Sequence, residues 1–215
     1  MPPSSYIRPC LPILRTVPPL GDGWLHEGKI AGSRVQVHKD GKNVRVYTRK
    51  GYDCAGRLPC FAQMLVGIAA RSAVIDGELV VDDGLHGHPE IHTLYESEKD
   101  LCIWAFDLLG LNGRDLRPLP LIERKKGLST LLIRSGLDCL EFTESFVDPT
   151  SLLASCERMG LEGIISKRLD APYASGRCAE WVKVRCSSWR EAPRARLARK
   201  LHGRSVAQTK RQPAS

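Results

Sequence analysis

Two short runs of alternating apolar and polar residues flank a turn sequence, and this pattern restricts the fold more than any other. The runs are residues 33–38 and 43–48, joined by Lys39-Asp40-Gly41-Lys42. A period of two places the apolar side chains on one face of a strand, and Asp-Gly favours a hairpin turn. The sequence therefore predicts an antiparallel hairpin against which the other elements pack.

The remaining segments are mostly strand-like, with a few helices. Apolar residues at helical spacing predict helices over 61–71, from Pro118 onward and over 151–159. Strands and helices mixed with antiparallel hairpins indicate the α+β class. The predicted strands cover 24–30, 73–81 with an interruption at Asp76-Gly77, 101–109, 141–147, 163–168 and 181–186.

Composition predicts a globular protein of one sizeable domain or two small ones. The 215 residues are 42% hydrophobic and 26% charged, without an apolar run long enough to cross a bilayer or a secretory h-region. The eight cysteines form no C-x-x-C pair, so we expect reduced thiols and a cytoplasmic protein. His86, His88 and His92 lie close together, but His-Gly-His-Pro is typical of a turn rather than a metal site.

Charge and proline content divide the chain into three parts. Residues 1–22 are a proline-rich, extended lead-in, 23–186 a nearly neutral body, and 187–215 a basic, flexible tail. Eight cations against one acid in the tail predict a polyanionic partner, most simply nucleic acid, although the tail could merely aid solubility. The predicted nucleic-acid contacts are Arg190, Arg194, Arg196, Arg199 and Lys200.

Lys29 lies at the end of the predicted strand 24–30 and precedes Gly32 and Arg34. A lysine at a strand end is usually solvated. It becomes a nucleophile where burial or a cationic neighbour lowers its pKa from about 10.4. Spacing alone leaves both interpretations open.

Five ordered segments between about Gly23 and Cys186 resemble the nucleotidyltransferase domain of ATP-dependent DNA ligases, especially the bacterial end-joining-associated type. That family has two antiparallel sheets, flanked by helices, around an ATP cleft. The segments are Lys29-Ile-Ala-Gly32-Ser-Arg34, Asp76-Gly-Glu78, Phe106 in Ala-Phe-Asp-Leu-Leu, Glu162-Gly-Ile-Ile-Ser-Lys167 and Trp181-Val-Lys183-Val-Arg185.

The resemblance implies a role for each matching residue. Lys29 would attack the α-phosphorus of ATP and become lysyl-AMP, and Phe106 would stack on adenine. Glu78 and Glu162 would bind Mg²⁺ or Mn²⁺, hard cations that prefer oxygen ligands. Other ATP contacts would be Glu27, Arg34, Arg49, Glu78, Lys183 and Arg185, with Gly32 and Lys167 supporting the motifs.

The sequence departs from the family pattern at several positions. Ala31 replaces the motif aspartate, Lys50 the usual asparagine and Arg185 the second lysine of the last motif. Only 29 residues follow Cys186, too few for the OB-fold that clamps DNA in full ligases, so we expect no OB-fold.

The leading hypothesis is an ATP-dependent DNA ligase that acts in repair or recombination on nicks or breaks. It would be cytoplasmic and nucleoid-associated, with DNA and possibly a repair protein as partners and none in a membrane. The alternative is a degenerate, catalytically impaired ligase-like protein that binds DNA or a repair partner through its tail. A third hypothesis is RNA ligation or capping, which shares the lysine motif.

Overall fold

The computed structural model describes residues 5–81 and 98–189. Three α-helices are present in these ranges: α1 (Pro59–Leu65), α2 (Leu121–Ser135) and α3 (Pro149–Arg158). The strands are β1 (Cys10–Arg15), β2 (Trp24–Gly28), β3 (Ser33–Asp40), β4 (Asn43–Thr48), β5 (Ser72–Val81), β6 (Leu101–Leu111), β7 (Arg114–Asp115), β8 (Leu140–Phe142), β9 (Gly163–Arg168) and β10 (Gly176–Arg185).

The strands form two sheets, as predicted. Sheet A has the order β1-β10-β9-β2, and sheet B has the order β4-β3-β5-β6-β7, with β8 pairing with β6. Most pairs are antiparallel, but β1 runs parallel to β10 and β8 parallel to β6. Each sheet is therefore mixed, with one parallel pair in a mainly antiparallel arrangement.

The predicted hairpin is confirmed as β3 and β4, which pair from Val35↔Thr48 to Asp40↔Asn43. Val35, Val37 and Val46 lie in the largest apolar cluster, where sheet B packs against α1 and α2. Alternate side chains of β3 therefore pack into this core, and Arg34 lies on the opposite face of the strand.

Three element predictions need correction. Residues 10–15 are extended, as expected of the lead-in, but they form β1 within sheet A, so this part of the lead-in belongs to the sheet. Residues 72–81 form one continuous strand, and Asp76-Gly77 marks a shift in its register with β6 rather than an interruption. The strand predicted over 141–147 ends at Phe142 because Phe146 turns to bridge to His26.

The helix predictions are confirmed with different bounds. α1 ends at Leu65, six residues before the predicted end at 71. α2 begins directly after Pro120, where the missing proline N–H costs no helical hydrogen bond. The side chain of Asp148 caps α3 by accepting from Thr150 N at 2.9 Å, and Gly160 follows its end with φ of 71°.

Two smaller apolar clusters position the site. One contains Phe106, Tyr173 and Trp181 and joins sheet A to sheet B. The other places Cys156 of α3 against Ile164 and Val182 of sheet A. No helix within residues 5–81 and 98–189 is long and apolar enough to cross a membrane.

Candidate active site

A cavity of about 410 Å³ lies between the two sheets. Every residue that the sequence analysis placed in the ATP and metal site lines it, except Arg185. The cavity therefore gathers residues from β2, β3, β5, β6, β9 and β10, although they are spread over more than 150 positions of the chain.

Lys29 follows β2 directly, at the junction of the two sheets. Its backbone N–H donates to Gly163 O at 2.8 Å, which extends the pairing of β2 with β9 by one residue. Its side chain is 20% exposed, with Nζ 3.7 Å from Glu162 Oε2 and donating to Ile30 O. The amine is thus held inside the cleft rather than solvated at a strand end.

Glu162 is the acidic centre of a group of three cations. Its Oε1 contacts Lys183 Nζ and lies 3.4 Å from Arg185 Nε, while Oε2 faces Lys29. Burial acts to raise the pKa of Glu162, but the hydrogen bond from Lys183 and the charges of Lys183, Lys29 and Arg185 outweigh it, so its pKa lies below the usual value. Three cations around one carboxylate leave excess positive charge for an anion such as a phosphate.

Gly32 allows the loop after Lys29 to pass close to β5. A Cβ on Gly32 would lie 2.4 Å from Leu79 O, so a side chain there would displace the strand. The Gly32 N–H donates to the carboxylate of Glu78. Burial nevertheless raises the pKa of Glu78 above the ordinary value, despite the nearby charges of Lys29 and Arg34.

Glu27 is buried between two lysines. Its Oε1 accepts from Lys125 Nζ at 2.6 Å and from Ser145 Oγ at 3.3 Å, and its Oε2 lies 2.6 Å from Lys167 Nζ. Burial acts to raise the pKa of Glu27, but the charges of Lys167 and Lys125 lower it below the usual value. Burial lowers the pKa of Lys167 to about 8, and its Nζ lies over the rings of Phe106 and Trp181 at 4.3 and 4.2 Å.

Arg34 forms a bidentate pair with Asp76, Nε to Oδ1 at 2.7 Å and Nη2 to Oδ2 at 2.8 Å. Its Cζ lies 4.5 Å from the centre of the Phe106 ring. Its guanidinium therefore supports the face of Phe106, and the residue also lines the cavity in which the resemblance implied an ATP contact.

Sequence reasoning assigned no role to several side chains of the site. Lys125 lies 98 positions from Glu27, and Tyr173 lies 97 positions from Asp76, to which its hydroxyl donates at 2.6 Å. Thr143 also lines the cavity. The nearest sequence signal is the helical apolar pattern of α2, which predicts the helix but gives no reason to bury Lys125.

Comparison with known proteins identifies the family. The model of the ATP-dependent DNA ligase domain matches residues 10–185. The chain belongs to the ATP-dependent DNA ligase domain family. The match begins at the first residue of β1, in agreement with the place of that strand in sheet A.

Proteins similar to this chain include bacterial end-joining proteins. The chain is 37% identical over 191 residues to the multifunctional non-homologous end joining protein LigD of Pseudomonas aeruginosa, an alignment that covers 86% of this chain and 22% of that protein. The ligase domain of LigD from M. tuberculosis has a TM-score of 0.73 at 33% identity, and a mycobacterial DNA ligase D complexed with ATP and MES has a TM-score of 0.68 at 32% identity. Each structural match covers 83% of this chain and 60% of the other chain. The chain thus spans less than two thirds of these relatives.

The acidic residues of this ligase domain fit a magnesium ion that shares its coordination with phosphate. Glu78 and Glu162 both line the cavity, and hard cations of this size bind through one or two carboxylates together with substrate phosphates. Among residues 5–81 and 98–189, no cluster of three or more acidic, histidine or cysteine side chains forms a complete metal site. His86, His88 and His92 lie outside these ranges.

The five predicted nucleic-acid contacts, Arg190 to Lys200, also lie outside the described residues. The segment before them is attached to the body. Glu157 accepts from Ser187 N at 2.7 Å and from Ser188 N at 3.0 Å, and Trp189 Nε1 donates to Gly160 O at 3.1 Å. Residues 187–189 are therefore held at the C-terminal end of α3.

Proposed function

We propose that this chain is an ATP-dependent DNA ligase of the end-joining type, acting through a lysyl-AMP intermediate. The position of Lys29 carries the proposal: its amine lies inside the cleft, 3.7 Å from Glu162 and beside the cation group at that carboxylate. Membership of the ligase family and the LigD relatives support ATP and DNA as substrates.

In the first step, the neutral amine of Lys29 attacks the α-phosphorus of ATP. A P–N bond forms, the P–O bond to pyrophosphate breaks, and the amine loses a proton. The ammonium of Lys183 and the guanidinium of Arg185 lie near Glu162, where they would stabilise negative charge on the phosphates. A Mg²⁺ held by Glu78 and Glu162 would neutralise further phosphate charge.

Two further transfers would complete ligation. A 5′-phosphate oxygen of DNA attacks the phosphorus of lysyl-AMP and releases Lys29. The 3′-hydroxyl then attacks the 5′-phosphorus, forms the phosphodiester bond and releases AMP. Duplex binding would draw on the basic residues after Trp189, since Arg and Lys side chains neutralise DNA phosphates.

The test is incubation of the protein with α-labelled ATP and Mg²⁺, followed by a denaturing gel. We expect a labelled band that disappears in Lys29→Ala and persists in Lys126→Ala, an exposed lysine of α2 outside the cavity. Label that survives in Lys29→Ala would contradict the assignment of the nucleophile.

Ala31 favours a second candidate, a ligase-like protein that binds DNA without adenylating. Absence of label in the natural chain, with label in Ala31→Asp, would support this candidate. DNA affinity should then depend on residues 190–215 and fall steeply with salt.

A further inference from the structure

Thr143 has a buried hydroxyl that no side chain or backbone group of residues 5–81 and 98–189 satisfies. The residue is 4% exposed, and its Oγ1 has no hydrogen-bond partner among the described residues. A buried hydroxyl that remains unpaired destabilises the folded protein. Because Thr143 lines the cavity between the sheets, the missing partner can be a ligand.

The backbone fixes this hydroxyl beside the aromatic ring of the cleft. β8 runs parallel to β6 with Phe142 opposite Ala105, and Thr143 N donates to Ala105 O at 2.9 Å. Thr143 therefore lies next to Phe106, whose ring stacks against the cations of Arg34 and Lys167.

The polar groups around Thr143 already have partners. Its carbonyl accepts from Lys125 Nζ at 3.0 Å, and the same ammonium donates to Glu27. Both carboxylate oxygens of Glu27 are occupied by Lys125 and Lys167. The hydroxyl of Thr143 is thus left to contact a ligand, while Glu27 is held by the protein.

The cleft has two kinds of surroundings. Lys29, Lys183 and Arg185 gather at Glu162 and suit phosphates, whereas Phe106 and Trp181 line the cavity with aromatic surface that suits a base. Thr143 belongs to the second group. Resting on the proposed use of ATP, we propose that the Thr143 hydroxyl determines base specificity by accepting a hydrogen bond from the 6-amino group of adenine.

The experiment measures equilibrium binding of two nucleotides, ATP and its 6-deamino analogue purine riboside triphosphate, so it does not require adenylation. The full chain should bind ATP about tenfold more tightly than the analogue, the value of one neutral hydrogen bond. Thr143→Val should lose about tenfold in ATP affinity but less than twofold for the analogue. Thr143→Ser should bind both like the natural chain.

A thermal unfolding measurement without nucleotide separates this role from a structural one. Thr143→Val removes an unsatisfied hydroxyl at nearly constant volume, so the ligand-free protein should be as stable or more stable. Thr130→Val is the matched control, because Thr130 Oγ1 donates to Lys126 O on the exposed face of α2. That variant should leave both affinities unchanged.

Three results would overturn the inference: equal affinity of the natural chain for ATP and the analogue, unchanged ATP affinity in Thr143→Val, or an equal loss for both nucleotides. In each of these the chain still binds ATP and the proposed function stands. A chain that binds neither nucleotide contradicts the proposed function as well.

Discussion

The hydroxyl of Tyr173 donates a 2.6 Å hydrogen bond to Asp76 Oδ2, and this contact joins the two sheets behind the cleft. The same hydroxyl oxygen accepts from Cys10 N at 2.9 Å, in the first strand of sheet A. Asp76 lies on β5 of sheet B and holds Arg34 in a bidentate pair. One phenol therefore fixes the distance between the sheets and the position of the arginine under Phe106.

Removing this hydroxyl should destabilise the fold. Tyr173→Phe keeps the ring but removes the partner of Cys10 N and leaves Asp76 Oδ2 with Arg34 alone, at a cost of about 2 kcal/mol. For a chain of this length we expect the melting temperature to fall by about 4–8 °C in a calorimetric scan. Tyr52→Phe, at a 70% exposed position, should melt like the natural chain. A Tyr173→Phe variant with unchanged melting would show that the sheets are held without this bond.

Restoring the motif carboxylate should speed adenylation. Ala31→Asp places a carboxylate between Lys29 and Gly32, where it would help to order the loop that carries the amine. We expect the initial rate of covalent labelling to rise about tenfold. Ala31→Asn, similar in size but uncharged, should give a smaller increase. Equal rates in both variants would assign the effect to size rather than charge.

Glu162→Gln should slow adenylation and raise the Mg²⁺ concentration that it requires. The neutral amide would leave Lys29, Lys183 and Arg185 facing one another without their common carboxylate. We expect labelling to fall at least 100-fold and the remaining activity to require a higher Mg²⁺ concentration, measured by titrating Mg²⁺ at fixed ATP. An unchanged Mg²⁺ requirement would remove Glu162 from the proposed metal site. Glu144→Gln, an exposed acid outside the cavity, is the control.

The stability of the attachment at α3 should depend on pH. Hydrogen bonds from Ser188 and Ser187 lower the pKa of Glu157 from 4.5 to about 2. A carboxyl whose folded pKa is depressed stabilises the protein above the unfolded pKa, and this contribution is lost as pH falls from about 4.5 to about 2. Glu157→Gln should therefore melt below the natural chain at pH 6, and the difference should vanish near pH 2. Melting curves across this range test the prediction, and a constant difference would contradict it.

The sequence predicted those elements that depend on alternation, helical spacing or turn residues within a short stretch of the chain. The hairpin around Asp40-Gly41, strand β9 and the end of α3 at Gly160 follow from alternation and turn chemistry. β1 was not predicted as a strand because Pro9 and Pro12, just before it and within it, argue against a central position. Pro12 is tolerated because β1 lies at the edge of sheet A, where one side of the strand needs no partner.

The candidate site was predicted in part, through motifs whose residues are close in sequence. The contacts of Glu27 with Lys125, and of Asp76 with Tyr173, join residues almost 100 positions apart, so no spacing could indicate them. The position of the Thr143 hydroxyl in the cavity depends on the parallel pairing of β8 with β6. A strand of three residues is too short for its sequence to predict this pairing. These contacts form only when the two sheets and α2 pack together in the folded protein.

The pairing of β1 with β10 also has a consequence for the order in which the molecule can form. Sheet B uses residues 33–142 and can pair as soon as that part of the chain is available. Sheet A needs residues 10–28 from one end and 163–185 from the other, contacts of long sequence separation that form slowly. Lys29 lies where these two sheets meet. The cleft around Lys29 is therefore completed last, and a nascent chain holds the amine of Lys29 inside this cleft only after almost the whole matched domain has been synthesised.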